Sequence, residues 1–319
     1  MSTDRNTEAA DVFAPQHLDP ARVEGDADGM KNAIPDFPYG LAALAGDYDG
    51  LLVDVWGVIH NGVAAFEAAS EALVRFRRET GGAVVLITNA PRPAPPVVDQ
   101  LSELGVPREA FDAVVTSGDV TRDTLASLGA GKLYHLGPDR DLSLYESLNV
   151  TLVGADEAEA ISCTGLFDDY TEGPDDYREQ LTALANRRLP FVCANPDVVV
   201  QRGDHIIYCA GSLANLYEEL GGTVHQAGKP YPPIYQAALA RLGAHLGREL
   251  DRERVLAIGD GLHTDIRGAV GQGLSCVFIT GGIHGTAFGP ADAPDPERVA
   301  DHLAREGLAV RAVLPRLMW

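Results

Sequence analysis

Leu51-Leu52-Val53-Asp54-Val55-Trp56-Gly57-Val58 is the stretch that decides how this chain is read. A short apolar run with the bulk of a buried strand stops at a carboxylate, and Gly57, three residues later, lets the backbone turn. An acid at the carboxyl end of such a strand lies where open α/β sheets keep their chemistry. Just beyond it, Asn61-Gly62 stands between apolar residues, a hairpin signal that predicts a small flap over Asp54.

Working outward, residues 66–78 have helical spacing, Gly81-Gly82 stops them, and Ala83-Val84-Val85-Leu86-Ile87 forms a second buried strand running into Thr88-Asn89. That is a βαβ unit whose two strands deliver polar groups at the same end. A helix over 95–104, a strand over 113–115 and a helix over 119–128 continue the pattern. After Gly129-Ala130-Gly131 the texture changes. Strands are expected over 132–137, 150–153 and 160–164, a helix over 174–186, and a strand over 191–194 entering Asn195-Pro196-Asp197. A hairpin follows, its arms 198–200 and 205–208 flanking Arg202-Gly203-Asp204.

The first pattern resumes at Val224-His225-Gln226-Ala227-Gly228-Lys229-Pro230, read as a strand leading into a helix with Pro230 in its first turn. A strand over 254–259 ends in Asp260, with Asp265 at the mouth of the next helix, and a strand over 276–280 precedes Gly281-Gly282-Ile283-His284-Gly285. Residues 296–319 read as a cover helix and an apolar tail. The expectation is an α/β protein with a doubly wound parallel sheet. Its core domain takes residues 40–130 and 226–319, a second α/β module of 131–225 is inserted in it, and residues 1–39 form a flexible arm.

Composition narrows the function. A net charge of −21 over 319 residues disfavours nucleic acid and anionic membranes, whose binding relies on basic side chains. The polar start has no apolar signal core, and no apolar run is long enough to span a bilayer. The four cysteines lack metal or disulfide spacing, which fits a reducing cytoplasm. The tail Leu317-Met318-Trp319 is read as packing within the chain by default, with a homodimer interface as the alternative.

The chemistry gathers at strand ends: Asp54, then Thr88 with Asn89, then Asp260 and Asp265, with Lys229 from a fourth connection. Carboxylates meeting at one rim repel one another unless a cation neutralises them, and hard oxygen donors with incomplete protein coordination suit Mg²⁺ with a substrate phosphate. A phosphate ester is the implied substrate, attacked in line by Asp54 to give an aspartyl phosphate.

These motifs resemble, in order, the four motifs of the haloacid dehalogenase superfamily: Leu51 to Val58, Ile87-Thr88-Asn89, Gly228-Lys229-Pro230, and Gly259-Asp260-Gly261-Leu262-His263-Thr264-Asp265. Cys193-Ala194-Asn195-Pro196-Asp197 and Ala210-Gly211-Ser212-Leu213 are similar to the class IIA (NagD-like, nitrophenylphosphatase-type) branch. The resemblance implies a Rossmann-like core with an inserted α/β cap of the C2 type, and a Mg²⁺-dependent phosphatase of a sugar, nucleotide or cofactor phosphate. It implies Asp54 as nucleophile and metal ligand, Thr88 and Lys229 as phosphate ligands, Asp260 and the Trp56 carbonyl on the metal, and Asp265 behind them. Gly57 and Asn89 would contact phosphate through their backbone, with Asn195, Asp197, Gly211 and Ser212 where cap meets core.

One departure stands out. The family's phosphatases carry a second aspartate two residues after the nucleophile as general acid and base, and here that position is Trp56. Slow or specialised turnover is the expectation. A phosphometabolite-binding or regulatory protein and a phosphotransferase stay open as alternatives. His60, His263 and His284 are read as ordinary solvated or hydrogen-bonded histidines, with His60 ranked first as a substitute proton carrier.

Overall fold

The computed structural model describes residues 34–202, 205–282 and 287–319. In chain order it runs β1 (Gly50–Asp54), α1 (Glu67–Thr80), β2 (Ala83–Thr88), α2 (Ala94–Glu103), β3 (Ala113–Thr116) and α3 (Ser117–Leu128). Next come β4 (Lys132–Leu136), β5 (Thr151–Leu152), β6 (Ala160–Cys163), α4 (Arg178–Asn186), β7 (Pro190–Cys193), β8 (Val199–Arg202), β9 (His205–Tyr208), α5 (Ala210–Glu219) and β10 (Thr223–Gln226). The chain closes with α6 (Pro232–Leu246), β11 (Val255–Gly259), α7 (Arg267–Gly271), β12 (Ser275–Ile279), α8 (Pro296–Arg305) and β13 (Ala312–Leu314).

Two parallel sheets result. One has the order β13-β12-β11-β1-β2-β3 and the other β10-β7-β6-β4-β5, while β8 and β9 pair antiparallel. Strands β1, β2 and β11 are buried at every residue, which is why they read as unbroken apolar runs rather than alternating ones. One face of the first sheet packs against α1, α2 and the turns at 41–47, the other against α6, α7 and α8. Chain order reverses at β1, which has β2 on one side and β11 on the other. Ligands of open α/β sheets bind at such a switch point.

Local chemistry explains the element ends. Gly81 stops α1 at φ 71°, a left-handed conformation that glycine takes without strain. Thr116 and Asp119 cap α3 reciprocally, the Asp119 N–H donating to Thr116 Oγ1 at 2.9 Å. In the second sheet, Ile161, Cys163, Phe191 and Cys193 face α4 and α5, and the alternate residues Ala160, Val192 and Ala194 face Leu125 of α3. Helix α3 thus packs under both sheets, since Val120 lies in the first core.

Several expectations are corrected. Thr223–Gln226, read as the start of the returning core, instead pairs with β7 at the edge of the second sheet. Asn61-Gly62 does not form a two-residue hairpin: the bridge joins His60 to Ala65, and the Asn61 Oδ1 accepts from the Val63 and Ala64 N–H groups. That side-chain turn competes with the tighter one, which needs a positive φ at Asn61 as well as at Gly62. Pro230 follows a cis peptide bond, and Pro232 and Pro233 open α6 instead.

The tail holds a sixth core strand, β13, rather than a cover helix alone. Residues 34–39, assigned to the flexible arm, lie along it, with the Val313 N–H donating to the Asp36 carbonyl at 2.8 Å. Leu317 is buried in the same core and Trp319 packs beside it, so the tail is covered within the chain. Residues 1–33, 203–204 and 283–286, the last including His284, lie outside the described residues.

Candidate active site

Register brings the polar strand ends together. Asp54 is paired with Ile87, so Thr88 stands one residue beyond it on β2, and Val53 is paired with Ile258, which sets Asp260 just past the end of β11. Lys229 enters from the segment after β10. Its ammonium donates to Asp54 Oδ1 and, at 2.6 Å, to Asp265 Oδ1. Asp265 sits in a π-helical turn, Leu262–Ile266, ahead of α7, where its Oδ2 accepts from the Gly261 N–H at 3.0 Å. Such one-turn departures from α-helical geometry recur at functional sites.

One carboxylate oxygen from each of Asp54, Asp260 and Asp265 falls within 4.8 Å of the others, and all three residues are buried. Burial pushes the Asp54 carboxyl well above its ordinary range, and the charges of Asp265 and Asp260 push it further against the pull of Lys229. Burial would lower the Lys229 ammonium, yet Asp265 and Asp54 hold it well above its usual value. The Lys229 ammonium thus joins two carboxylates, with that of Asp260 beside them, and the all-oxygen donor set fits a hard divalent cation. Asp260 lies in a glycine cradle: a Cβ on Gly57, which has φ 82°, or on Gly282 would collide with its carboxylate.

The second tier is built from the other sheet. Asn195 Oδ1 accepts from the Asp197 N–H at 3.1 Å, and Asp197 Oδ1 accepts from Asn89 Nδ2 at 2.9 Å. Asn89, expected to lend its backbone, also engages its side chain. Gly211 lies against the Pro196 carbonyl and its N–H donates to the Asp197 carbonyl at 3.1 Å, and the Ser212 hydroxyl donates to the Cys209 carbonyl at 2.7 Å. Gly211 therefore braces the Asn195-Pro196-Asp197 turn, and Ser212 closes on the start of its own helix, α5. The Gly57 N–H, expected on phosphate, donates to the His60 carbonyl at 2.8 Å. Gly228, Ser117 and Gly282 are additions. Gly228 has no room for a Cβ between Asn89 Oδ1, Pro196 and the Ser117 hydroxyl, a signal hidden in Gly228-Lys229-Pro230.

Trp56 is half-buried and lies outside the main core cluster. Its indole tip rests on Gly62, where a Cβ would strike the ring, and it meets the His60 ring edge-on at a centroid distance of 5.3 Å. His60 is buried, burial lowers its pKa, and its Nδ1 accepts from the Gly62 N–H at 2.9 Å. A groove of about 790 Å³ lined by Val270, Leu274, Cys276, Leu303 and Val310 includes none of these residues.

Residues 51–151 match the family described as haloacid dehalogenase-like hydrolase, and residues 226–305 match a HAD-hydrolase-like family. A solved hydrolase of the haloacid dehalogenase-like family from Brucella suis 1330 is 45% identical, with a TM-score of 0.79 over 88% of this chain and 100% of that one. The chain belongs to the haloacid dehalogenase-like hydrolases. Among curated relatives of this family, the dihydroxyacetone phosphatase of Corynebacterium glutamicum (strain R) is 35% identical over 94 residues, 29% of this chain and 32% of its own. The D-glycerol 3-phosphate phosphatase of Mycobacterium tuberculosis is 28% identical over 261 residues, 76% of this chain and 66% of its own. The chain thus spans a third to two thirds of the length of these two relatives. Among the described residues no helix is long and apolar enough to cross a membrane.

Proposed function

We propose that this haloacid dehalogenase-like hydrolase is a Mg²⁺-dependent phosphatase of a small phosphorylated metabolite, a sugar, nucleotide or cofactor phosphate. The observation that carries the reading is the Lys229 ammonium joined to Asp54 and Asp265 with Asp260 alongside, a buried cluster of carboxylate oxygens. The names of the curated relatives, phosphatases of dihydroxyacetone phosphate and D-glycerol 3-phosphate, point the same way.

In this reading Asp54, Asp260 and the Trp56 carbonyl hold the cation, with Asp265 behind them. Mg²⁺ bound there supplies neutralisation of charge on the phosphoryl oxygens. Lys229 and the Thr88 hydroxyl hold the phosphoryl group, and Asp54 attacks phosphorus in line and carries it as an aspartyl phosphate. Residues 131–225 act as the cap that chooses the substrate, tied to the core through Asp197 and Asn89. The four cysteines, all buried and unbridged, suit a reducing cytoplasm.

The test is turnover of a panel of phosphate esters with and without Mg²⁺. Asp54→Asn abolishes it in a protein that still folds, and full activity in that variant would end the mechanism. Trp56 favours a second reading, a protein that binds phosphate and does not turn it over. Calorimetric binding of inorganic phosphate with no hydrolysis of any panel member would select that one.

A further inference from the structure

We propose that the carboxyl ends of β4 and β6 form a subsite that holds hydroxyl groups of the substrate through Asp141 and Thr164. The protein thereby selects phosphate esters of sugars and polyols over esters of plain alcohols of the same length. The proposal rests on the reading of the site around Asp54 and Lys229 as the one that holds the phosphoryl group.

The second sheet has a switch point of its own. Strands β4 and β6 are neighbours, yet their connections leave to opposite faces. Leu144 and Tyr145, after β4, pack with Leu125 of α3, whereas Tyr177 and Leu181, after β6, pack on the other face with α5. Sheets of this kind take ligands outside the carboxyl ends of strands at such a point, as the first sheet does at β1. The two strand ends meet closely here, since Gly137, at φ 151°, has no room for a Cβ against the Thr164 hydroxyl.

Two independent paths set these strand ends within reach of one small molecule bound at Lys229. Across the sheet, β7 ends in the Asn195-Pro196-Asp197 turn that meets Asn89, and β4 lies two strands away, a separation of about 10 Å. Along the core chain, Arg92 follows Asn89 by three residues, a span of at most about 10 Å. The Arg92 guanidinium favours the charge of Asp141, so the loop after β2 leads from the phosphoryl site to the second sheet's switch point.

The groups gathered there match a neutral ligand rich in O–H donors. Asp141 is buried, and burial pushes its carboxyl above the usual value; Arg140, the Thr164 hydroxyl and Arg92 pull it back, and Asp169 adds to the rise. Both guanidiniums also bond elsewhere, Arg140 to Asp169 at 2.5 Å and Arg92 to Gln100 Oε1 at 2.9 Å. Thr164 is buried too. Its hydroxyl lies near enough to favour the Asp141 charge, yet it makes no hydrogen bond of standard geometry among the described residues. Two carboxylates balance two guanidiniums, so a charged group gains no net attraction, whereas hydroxyls can donate to the carboxylate and pair with Thr164. A site built to bond hydroxyls rejects an analogue that lacks them, because its buried polar groups are then left unpaired.

The experiment measures kcat/KM of the full chain with Mg²⁺ on ribitol 5-phosphate and n-pentyl phosphate, which share a five-carbon chain and differ in hydroxyl groups. The expected ratio favours ribitol 5-phosphate by about 10²-fold. Asp141→Asn keeps the shape and loses the charge, and Thr164→Val keeps the shape and loses the hydroxyl. Each is expected to cut the ratio about tenfold, chiefly by raising KM for ribitol 5-phosphate. A purely structural role would lower both substrates together, so an unmoved ratio in the two variants, each shown by its melting curve to be folded, would overturn the proposal. Equal kcat/KM on the two esters in the unaltered protein would overturn it as well and leave the phosphatase reading intact. No hydrolysis of either ester or of 4-nitrophenyl phosphate would overturn that reading, and the proposal with it.

Discussion

Asn89 grips Lys229 by both of its backbone polar atoms: Oδ1 accepts the Lys229 N–H at 2.7 Å and Nδ2 donates to its carbonyl at 3.1 Å. The same Nδ2 donates to Asp197 Oδ1, so one amide ties the second sheet to the residue that carries the ammonium. Each buried partner left unsatisfied costs about 1–3 kcal/mol. Asn89→Ala is expected to lower Tm and to weaken phosphate, read as a rise in the inhibition constant of inorganic phosphate. Asn89→Asp keeps the acceptor for the Lys229 N–H yet is expected to be worse than Asn89→Ala, because it sets a second carboxylate against Asp197. Normal phosphate binding in the Asn89→Asp variant would show that this grip does not position Lys229.

That relationship marks where sequence reasoning ends. The buried strands β1, β2 and β11 were legible because apolar residues on both faces leave an unbroken run, and the acids at their ends stand out against it. Asn89 was legible as a site residue, but its side chain acts on a partner 140 positions away, a pairing that no local pattern encodes. Strand β10 has four residues and no run to declare its sheet, and β13 is three apolar residues inside a tail. The flap at Asn61-Gly62 carried the right turn residues, and the Asn61 side chain captured the backbone N–H groups that a tighter turn would have used otherwise.

Gly57 offers a test of the metal cradle that spares the carboxylates. Its φ of 82° is a left-handed conformation, costing an L-residue about 1–2 kcal/mol, and an added Cβ would collide with the Asp260 carboxylate. Gly57→Ala is expected to lose activity at every Mg²⁺ concentration and to need more Mg²⁺ for half-maximal rate, with a drop in Tm of only a few degrees. An unchanged Mg²⁺ requirement would separate Gly57 from the metal.

His60 gives the pH dependence a definite sign. Burial holds its pKa below the ordinary value of about 6.5, so it stays neutral in the fold while the unfolded chain protonates it. Between the folded and unfolded values the unfolded state binds more protons, and stability rises with pH across that window. His60 therefore favours the fold fully above about pH 7 and loses this contribution as pH falls through 6.5 toward the folded value. His60→Asn supplies an oxygen to accept from the Gly62 N–H without titrating. Urea unfolding at pH 7 and pH 5 should show a smaller acid loss in the variant, and its 4-nitrophenyl phosphate turnover should persist. Loss of that turnover would make His60 the proton carrier that Trp56 is not.

The three carboxylates predict opposite effects for two similar substitutions. Asp260 adds a like charge beside Asp54, whereas Asp265 also holds the Lys229 ammonium. Without divalent cation, Asp260→Asn should raise Tm by relieving repulsion, and Asp265→Asn should lower it by leaving the ammonium with Asp54 alone. Added Mg²⁺ should stabilise the unaltered protein by mass action, about 2.7 kcal/mol at a hundredfold excess over Kd, and EDTA should reverse this. Asp260→Asn should flatten the Mg²⁺ dependence while gaining stability in EDTA. If instead it lost stability in EDTA and still responded fully to Mg²⁺, the cation would have to bind elsewhere, and the acids around Lys229 would be an ion-pair network with no metal to hold.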